Sequence, residues 1–355
     1  MIKQSDALDY LRDLPDSSVG LILTDPPYFR VMANEWDRQW SDATRFIQWL
    51  DGIAEEWARV LKPNGTLVCF AGSNPSAAPG ATLAARVEVM LAERFNVISS
   101  AVWVRSDGWH RKSNKKDQRA HFPATERAII CEHYGADNIA KGEAGYQAKC
   151  DELRGFVFEP LRAYLDEERR RAGVDKVAVN VACGFSASPG GMASRHYFSR
   201  SQWWLPTEEH YTAMRDLFGD GFLLREYEDL RAEYEDLRRP FRGEVGAHHT
   251  DVWTYESAPS AEGRHPCAKP EALALDLVRQ CSKRGDVVLD TFAGSGVFLA
   301  AAKALERVPW GCDMQEQWAI ATVERVENAR VIPDENPRVV KMSAVDRNQL
   351  DLFGS

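Results

Sequence analysis

Val19-Gly20-Leu21-Ile22-Leu23-Thr24-Asp25-Pro26-Pro27-Tyr28 is the stretch that decides the fold. Val19 to Leu23 is a short apolar run without alternation, the pattern of a strand buried on both faces of a parallel sheet. The two prolines then end ladder pairing, because neither has an N–H to donate, and they stiffen the corner. An acid, a rigid turn and an aromatic thus arrive together at the carboxyl end of a buried strand. In open α/β sheets that is where ligands bind.

Outward from this stretch, strands and helices alternate. Ser5 can cap a short helix that carries Asp6 to Leu11, and Ser41 to Leu61 is amphipathic, with Phe46, Leu50, Ile53 and Trp57 on one side. Lys62-Pro63-Asn64-Gly65 is a strong breaker after it. Thr66–Phe70, Phe95–Val104 and Glu126–Cys131 have strand character, and Ala81–Arg94 is helical. Late in the chain, the apolar strand Asp286–Leu289 runs into Asp290-Thr291-Phe292-Ala293-Gly294-Ser295-Gly296 and a helix from Val297. Glycines there let the backbone approach a ligand, and the helix start offers free N–H groups. The next strand ends on another acid, Trp310-Gly311-Cys312-Asp313, placed to hold ribose hydroxyls. The full G-x-G-x-x-G pattern is missing, which argues against a nicotinamide enzyme. The alternation predicts a doubly wound, mostly parallel Rossmann-like sheet.

Two segments break that rhythm. Arg105 to Arg119 gathers Arg105, Arg111, Lys112, Lys115, Lys116 and Arg119 against Asp107 and Asp117, with Trp109 and His110 between, a composition suited to neutralising phosphates. From about Cys150 to Val245 short helical pieces carry Arg195, Arg200, His196, Tyr197, Trp203 and Trp204, which suits insertion into a DNA groove. Glu-Tyr-Glu-Asp-Leu-Arg occurs at Glu226 and again at Glu233, placing Tyr227, Leu230, Tyr234 and Leu237 on one helix face. Two heptads are too few for a coiled coil, so this face should pack on its own protein.

Composition sets outer limits. The chain has 355 residues, a net charge of −9 and seven scattered cysteines without a Cys-x-x-Cys pair. A zinc site and a disulfide framework are therefore not expected, and a reducing cytoplasm is. No signal peptide or membrane-length apolar run is visible. The overall negative charge does not exclude nucleic acid, because a local basic face decides binding.

The acid–proline–aromatic corner has a specific chemical use. An exocyclic amino group on a nucleobase carries two N–H donors and a delocalised lone pair. Asp25 and the Pro26 carbonyl offer two acceptors, which would steer the nitrogen toward sp³ geometry and free its lone pair. Tyr28 offers a flat face for the base. The plain alternative is an ordinary turn at the end of a strand.

Asp25-Pro26-Pro27-Tyr28 resembles the catalytic motif of amino-group DNA methyltransferases, and Phe292-Ala293-Gly294-Ser295-Gly296 their Phe-x-Gly-x-Gly motif for S-adenosylmethionine. His265-Pro266-Cys267-Ala268-Lys269-Pro270 matches the His-Pro-x-x-Lys-Pro element that precedes it. The order, catalytic motif first and cofactor motif last, is that of the permuted beta group, and the chain looks like its prophage-type or orphan members. The resemblance implies a seven-stranded methyltransferase sheet built from a catalytic half, 1–149, and a cofactor half, 246–335, with a helical target-recognition insertion, 150–245, and a tail, 336–355. It assigns Asp25, Pro26, Pro27 and Tyr28 to catalysis. It assigns Asp6, Lys269, Asp290, Thr291, Phe292, Gly294, Ser295, Gly296 and Asp313 to S-adenosylmethionine, with Lys269 near the methionine end. Arg105, Arg111, Lys112, Lys115, Lys116, Arg119, Arg195 and Arg200 are the expected DNA contacts. Family members often carry Glu where Asp313 stands. Cys267 lacks the context of a covalent cysteine and reads as structural.

The implied reaction is direct methyl transfer to a flipped base in double-stranded DNA, without a metal. Adenine N6 is the first choice, because Asp is more typical of that group than Ser, and cytosine N4 is the alternative. An RNA or protein methyltransferase and an inactive DNA-binding protein are the readings from other classes. A homodimer with no membrane association and no obligatory restriction partner completes the expectation.

Overall fold

Residues 1–30, 38–72, 82–105, 124–133, 156–243, 250–256, 265 and 267–334 are described by the structure, a computed structural model. Its strands, in chain order, are β1 (Ile2–Gln4), β2 (Val19–Thr24), β3 (Leu61–Ala71), β4 (Asn96–Arg105), β5 (Thr125–Glu132), β6 (Val252–Tyr255), β7 (Val287–Asp290) and β8 (Val308–Asp313). The α-helices are α1 (Ala7–Arg12), α2 (Ala43–Val60), α3 (Leu83–Ala92), α4 (Glu159–Arg171), α5 (Lys176–Ala182), α6 (Met192–His196), α7 (Glu208–Phe218), α8 (Tyr227–Leu237), α9 (Glu271–Cys281), α10 (Val297–Ala304) and α11 (Glu316–Glu327). None of the described helices is long and apolar enough to cross a membrane. The chain divides into two compact units, Met1–Glu132 with Pro240–Ser355, and His133–Arg239. The second unit begins earlier and ends earlier than the insertion expected at 150–245.

The eight strands of the described residues form one sheet in the order β1-β8-β7-β2-β3-β5-β4-β6. Where the resemblance implies seven strands, the described residues form eight. The alternating strand β6 pairs with β4 through Val102↔Val252 to Arg105↔Tyr255 and forms the edge. Among the described strands, only β5 runs antiparallel to its neighbours, β3 and β4.

Every residue of β2 is buried, as its unbroken apolar run requires. Alternate side chains supply two cores. Ile22, Leu67 and Cys69 join α1, α2 and α3 on one face, while Leu21, Leu23, Val68 and Phe70 join α9 and α10 on the other. The Phe46, Leu50, Ile53 and Trp57 stripe of α2 is buried throughout. Burying each such side chain stabilises the fold by about 1.5–3 kcal/mol before the entropy of ordering is subtracted.

The Lys62–Gly65 breaker is not a gap between helix and strand but an excursion within β3. Partner Val19 pairs with Leu61 and Leu21 with Thr66, so β3 spends three extra residues where β2 advances by two. The proline and glycine leave the ladder there and pairing resumes at Thr66.

Strand β2 pairs with β7 through Leu21↔Val288 and Ile22↔Leu289. From β2 the chain crosses through α2 to β3 on one side, and from β7 it crosses through α10 to β8 on the other. The tips of β2 and β7 therefore flank the switch point, where the crossovers diverge and a crevice opens. That places Asp25 and the Asp290 loop side by side although they are distant in sequence.

The second unit has its own core. Trp203 is fully buried, stacks on Phe158 with ring centroids 5.3 Å apart and donates its indole N–H to the Tyr197 carbonyl at 3.1 Å. The repeated heptad forms α8, whose Leu230 is buried and whose Tyr227, Tyr234 and Leu237 pack against that same core.

Candidate active site

A single cleft at the tips of β2, β7 and β8 is lined by Asp6, Asp25, Pro26, Pro27, Tyr28, Thr291, Phe292, Gly294 and Asp313 from among the residues expected at the site. The cleft is largely aromatic on one side, where Trp49, Trp318 and Met314 join Phe292. Trp49 comes from α2 and approaches Phe292 with ring centroids 5.7 Å apart. Sequence reading missed Trp49 because it stands one position off the α2 core stripe. It missed Met314 and Trp318 because they follow the acid of β8 outside any motif. Cys267, read as structural, is partly exposed on the cleft wall.

Local structure explains how the cofactor-like loop holds its shape. Gly296 has φ +71° at the start of α10, and a Cβ there would lie 2.9 Å from the Thr322 Cα. Only glycine fits both demands. Asp313 at the end of β8 ties the loop down: one carboxylate oxygen accepts from Gly294 N at 2.9 Å and the other from Gln315 N at 2.9 Å. Each oxygen keeps a further lone pair for a ligand hydroxyl. Asp6 caps α1 by accepting from Leu8 N at 2.8 Å and also faces the cleft.

Asp290 lies behind the cleft rather than in it. Its carboxylate accepts from the Thr24 hydroxyl at 2.8 Å and from Phe292 N at 3.0 Å, cross-linking the tips of β2 and β7. Burial pushes this carboxyl up to about 7, against the partial relief of those hydrogen bonds. A carboxyl raised above its unfolded value of 3.8 binds its proton more tightly in the folded state. Stability is then lost as pH rises from about 4 to 7, by about 4 kcal/mol at most. Asp290→Asn keeps an acceptor and removes this loss. The difference in Tm between variant and wild type should therefore move in the variant's favour from pH 5 to pH 8; a pH-independent difference would contradict the assignment.

Lys269, expected near the methionine end of the cofactor, reaches the Asp25 corner. Its ammonium, only 4% exposed, bonds Asp25 Oδ2, lies 3.2 Å from Glu126 Oε2 and 3.2 Å from the Tyr28 hydroxyl. It thus contacts the Asp25 carboxylate directly. Tyr28 donates to Asp25 Oδ1 at 2.6 Å and lies 3.0 Å from Glu126 Oε2. Its ring rests over Gly72 at the end of β3, where a Cβ would come within 2.4 Å of it, so glycine leaves the room for Tyr28. Just beyond, Phe29 and Arg30 both take positive φ, 53° and 59°, a costly conformation for residues with side chains that fixes the direction of the chain after the motif.

Electrostatics follow from this packing. Burial raises Asp25, and Lys269 only partly offsets it, while Glu126 adds to the rise. For Glu126 burial also acts upward, but Lys269 and Arg105 outweigh it and the carboxylate is held low. Lys269 is pushed up to about 12, its two carboxylates overcoming the cost of burial. His265, against Trp318 at 4.8 Å between ring centroids, is pushed down to about 4 by burial and by Lys269, so its ring is neutral at pH 7.

Glu126 and its partner were not found from sequence. Arg105, expected on phosphates, donates to Glu126 Oε1 at 2.8 Å. Arg195 donates to the Gly190 carbonyl at 3.0 Å, and Arg200 lies over the Phe156 ring at 5.7 Å and 3.8 Å from Glu159. Ser295 and Gly296 belong to the same loop as Phe292 and Gly294 without lining the cleft. Arg111, Lys112, Lys115, Lys116 and Arg119 lie outside the described residues.

A doubly wound sheet whose switch point joins an Asp-Pro-Pro-Tyr corner to a glycine loop and a strand-ending acid defines a class of group-transfer enzyme. The chain belongs to the DNA methylase family N6_N4_Mtase, which matches residues 19–324. It is a DNA methyltransferase. It is 22% identical over 349 residues to the type II methyltransferase M.BglII of Bacillus subtilis, covering 94% of this chain and 70% of that one. Over 331 residues it is 20% identical to M.HpaI of Haemophilus parainfluenzae, covering 91% and 73%. Among solved structures, the PvuII DNA methyltransferase (cytosine-N4-specific) superposes with a TM-score of 0.54 at 13% identity, covering 97% of this chain and 92% of that one, a likeness of fold.

Proposed function

We propose that the chain transfers a methyl group from S-adenosylmethionine to N6 of adenine in double-stranded DNA, the target base being flipped out of the helix. The observation that carries the reading is the shared cleft: Asp25 and Pro26 open into the same space as Phe292, Gly294 and Asp313. Its residues suit the cofactor. Phe292, Trp49 and Trp318 offer flat faces for a purine, while Asp313 and Asp6 offer acceptors for hydroxyls.

When bound, S-adenosylmethionine supplies a methyl group whose bond to sulfur breaks, leaving the pair on sulfur, as the amino nitrogen's lone pair forms the new N–C bond. The chain's own residues do the rest. Asp25 and the Pro26 carbonyl accept the two amino N–H groups and hold the lone pair toward the cofactor side. Asp25, raised by burial, takes up the proton that the methylated nitrogen sheds. Tyr28 stacks on the base, and positioning with fixed dipoles lowers the barrier. The His133–Arg239 unit holds the DNA, with Arg195 and Arg200 among its contacts, and the active species is a homodimer.

Cytosine N4 is the second reading. It is favoured by the fold likeness to an enzyme named as cytosine-N4-specific, and the same two acceptors would serve its amino group. Incubating the purified chain with methyl-labelled cofactor and duplex DNA, followed by nucleoside digestion, separates the readings. The label is expected in N6-methyladenosine. Label in N4-methylcytidine would replace the first reading by the second, and label in RNA alone would remove both.

A further inference from the structure

Both oxygens of Asp25 already carry a donor in this structure. Oδ1 accepts from the Tyr28 hydroxyl at 2.6 Å and Oδ2 from the Lys269 ammonium. A target amino group must therefore share the carboxylate with these donors or compete with them for it. Lys269 is buried and Tyr28 partly so, and an ammonium or hydroxyl left there without a partner is costly. The same two donors already touch a second carboxylate: Glu126 Oε2 lies 3.0 Å from the Tyr28 hydroxyl and 3.2 Å from Lys269 Nζ. Its other oxygen is held by Arg105 at 2.8 Å. Glu126 is 8% exposed and stands on β5, opposite Trp103 of β4, so the antiparallel pairing of those strands brings Glu126 and Arg105 together.

We propose that Glu126 is a positioning residue that receives Lys269 and Tyr28 when the substrate amino group takes the Asp25 carboxylate. This rests on the reading of Asp25 as the acceptor of that amino group. Before substrate arrives, the donors are shared between two carboxylates and Asp25 is occupied. On binding, they turn wholly to Glu126, and no buried donor is left without a partner. Arg105 fixes Glu126 in place through the exchange and balances its charge. Without the Glu126 charge, Lys269 would stay on Asp25 and compete with the substrate.

The groups facing Asp25 are Lys269, Glu126 and Tyr28, with Cys69 of β3 and Asp290 of β7 behind them; Lys269 also faces Cys267 and His265. Among these, removing the negative charge of Glu126 makes Asp25 easier to ionise. Glu126→Gln is thus expected to slow single-turnover transfer about 10- to 100-fold at saturating DNA, with binding of S-adenosylmethionine within twofold of wild type. The acidic limb of its pH–rate profile should move to lower pH. A merely structural role would slow transfer without that displacement. An unchanged rate, or a slowed rate with the acidic limb unmoved or moved upward, would overturn the proposal. Should this variant fail to fold, Lys269→Gln tests the arrangement from the other side. Its acidic limb should move to higher pH with cofactor binding retained, whereas lost cofactor binding with an unmoved limb would return Lys269 to the cofactor and overturn the exchange. Wild-type protein inactive on DNA in the same assay would remove the reading of the site itself.

Discussion

Replacing Asp25 by alanine is expected to cut methyl transfer by at least about 10³-fold while S-adenosylmethionine still binds. The carboxylate is one of only two acceptors that the β2 corner presents to an amino group, and a methyl side chain cannot replace it. Folding should survive. Lys269 keeps Glu126 as a partner at 3.2 Å, so no buried ammonium is left alone, and the burial that raises Asp25 shows that its charge costs the fold something. Binding can be followed by the fluorescence of Trp49 and Trp318, which line the cleft. Normal turnover by Asp25→Ala would sink the mechanism. Lost binding together with lost turnover would mean that Asp25 shapes the cofactor half of the cleft instead.

The second large effect lies in the other unit. Trp203→Ala removes a fully buried indole that stacks on Phe158, with Tyr234 6.1 Å away, and it frees the Tyr197 carbonyl from its donor. Large-to-small changes of this kind cost about 3–5 kcal/mol, and an unpaired buried carbonyl adds to that. A unit of this size has little stability to spare. The His133–Arg239 unit should therefore lose its cooperative unfolding transition at 25–37 °C. DNA affinity should fall at least about tenfold, while cofactor binding, which depends on the sheet unit, persists. Undiminished DNA affinity in a variant that has lost that transition would show that DNA is held without the insertion.

What was legible in the sequence was local. Thr24 to Tyr28 and Asp290 to Gly296 are contiguous, so each prints its chemistry in consecutive letters, and the crossover rules bring the two strands side by side. The α2 stripe was legible for the same reason, being a periodicity within one helix. The Lys62–Gly65 breaker misled because a proline and a glycine can leave a ladder without ending the strand. Strands β1 and β6 escaped notice because three or four residues at a sheet edge carry little pattern, and the count of seven came from the resemblance alone.

The Glu126 cluster was illegible for a physical reason. Lys269 and Asp25 stand 244 positions apart, and Arg105 and Glu126 lie on antiparallel neighbours separated by a long basic segment. In the sequence Arg105 opens that segment and reads as one more phosphate contact. Only the strand register turns it inward, onto a carboxylate that composition alone gives no reason to single out. Lys269 was likewise tied to its nearest motif, whereas its long side chain reaches across the crevice to the other.

The central claim is that this cleft methylates an exocyclic amino group of DNA in a defined sequence context. Single-molecule sequencing of DNA from cells expressing the chain, set against cells expressing Asp25→Ala, tests it most directly. N6-methyladenine confined to one short motif, and absent with the variant, is the predicted result. No modified base in either sample, with purified protein that still binds S-adenosylmethionine, would contradict it.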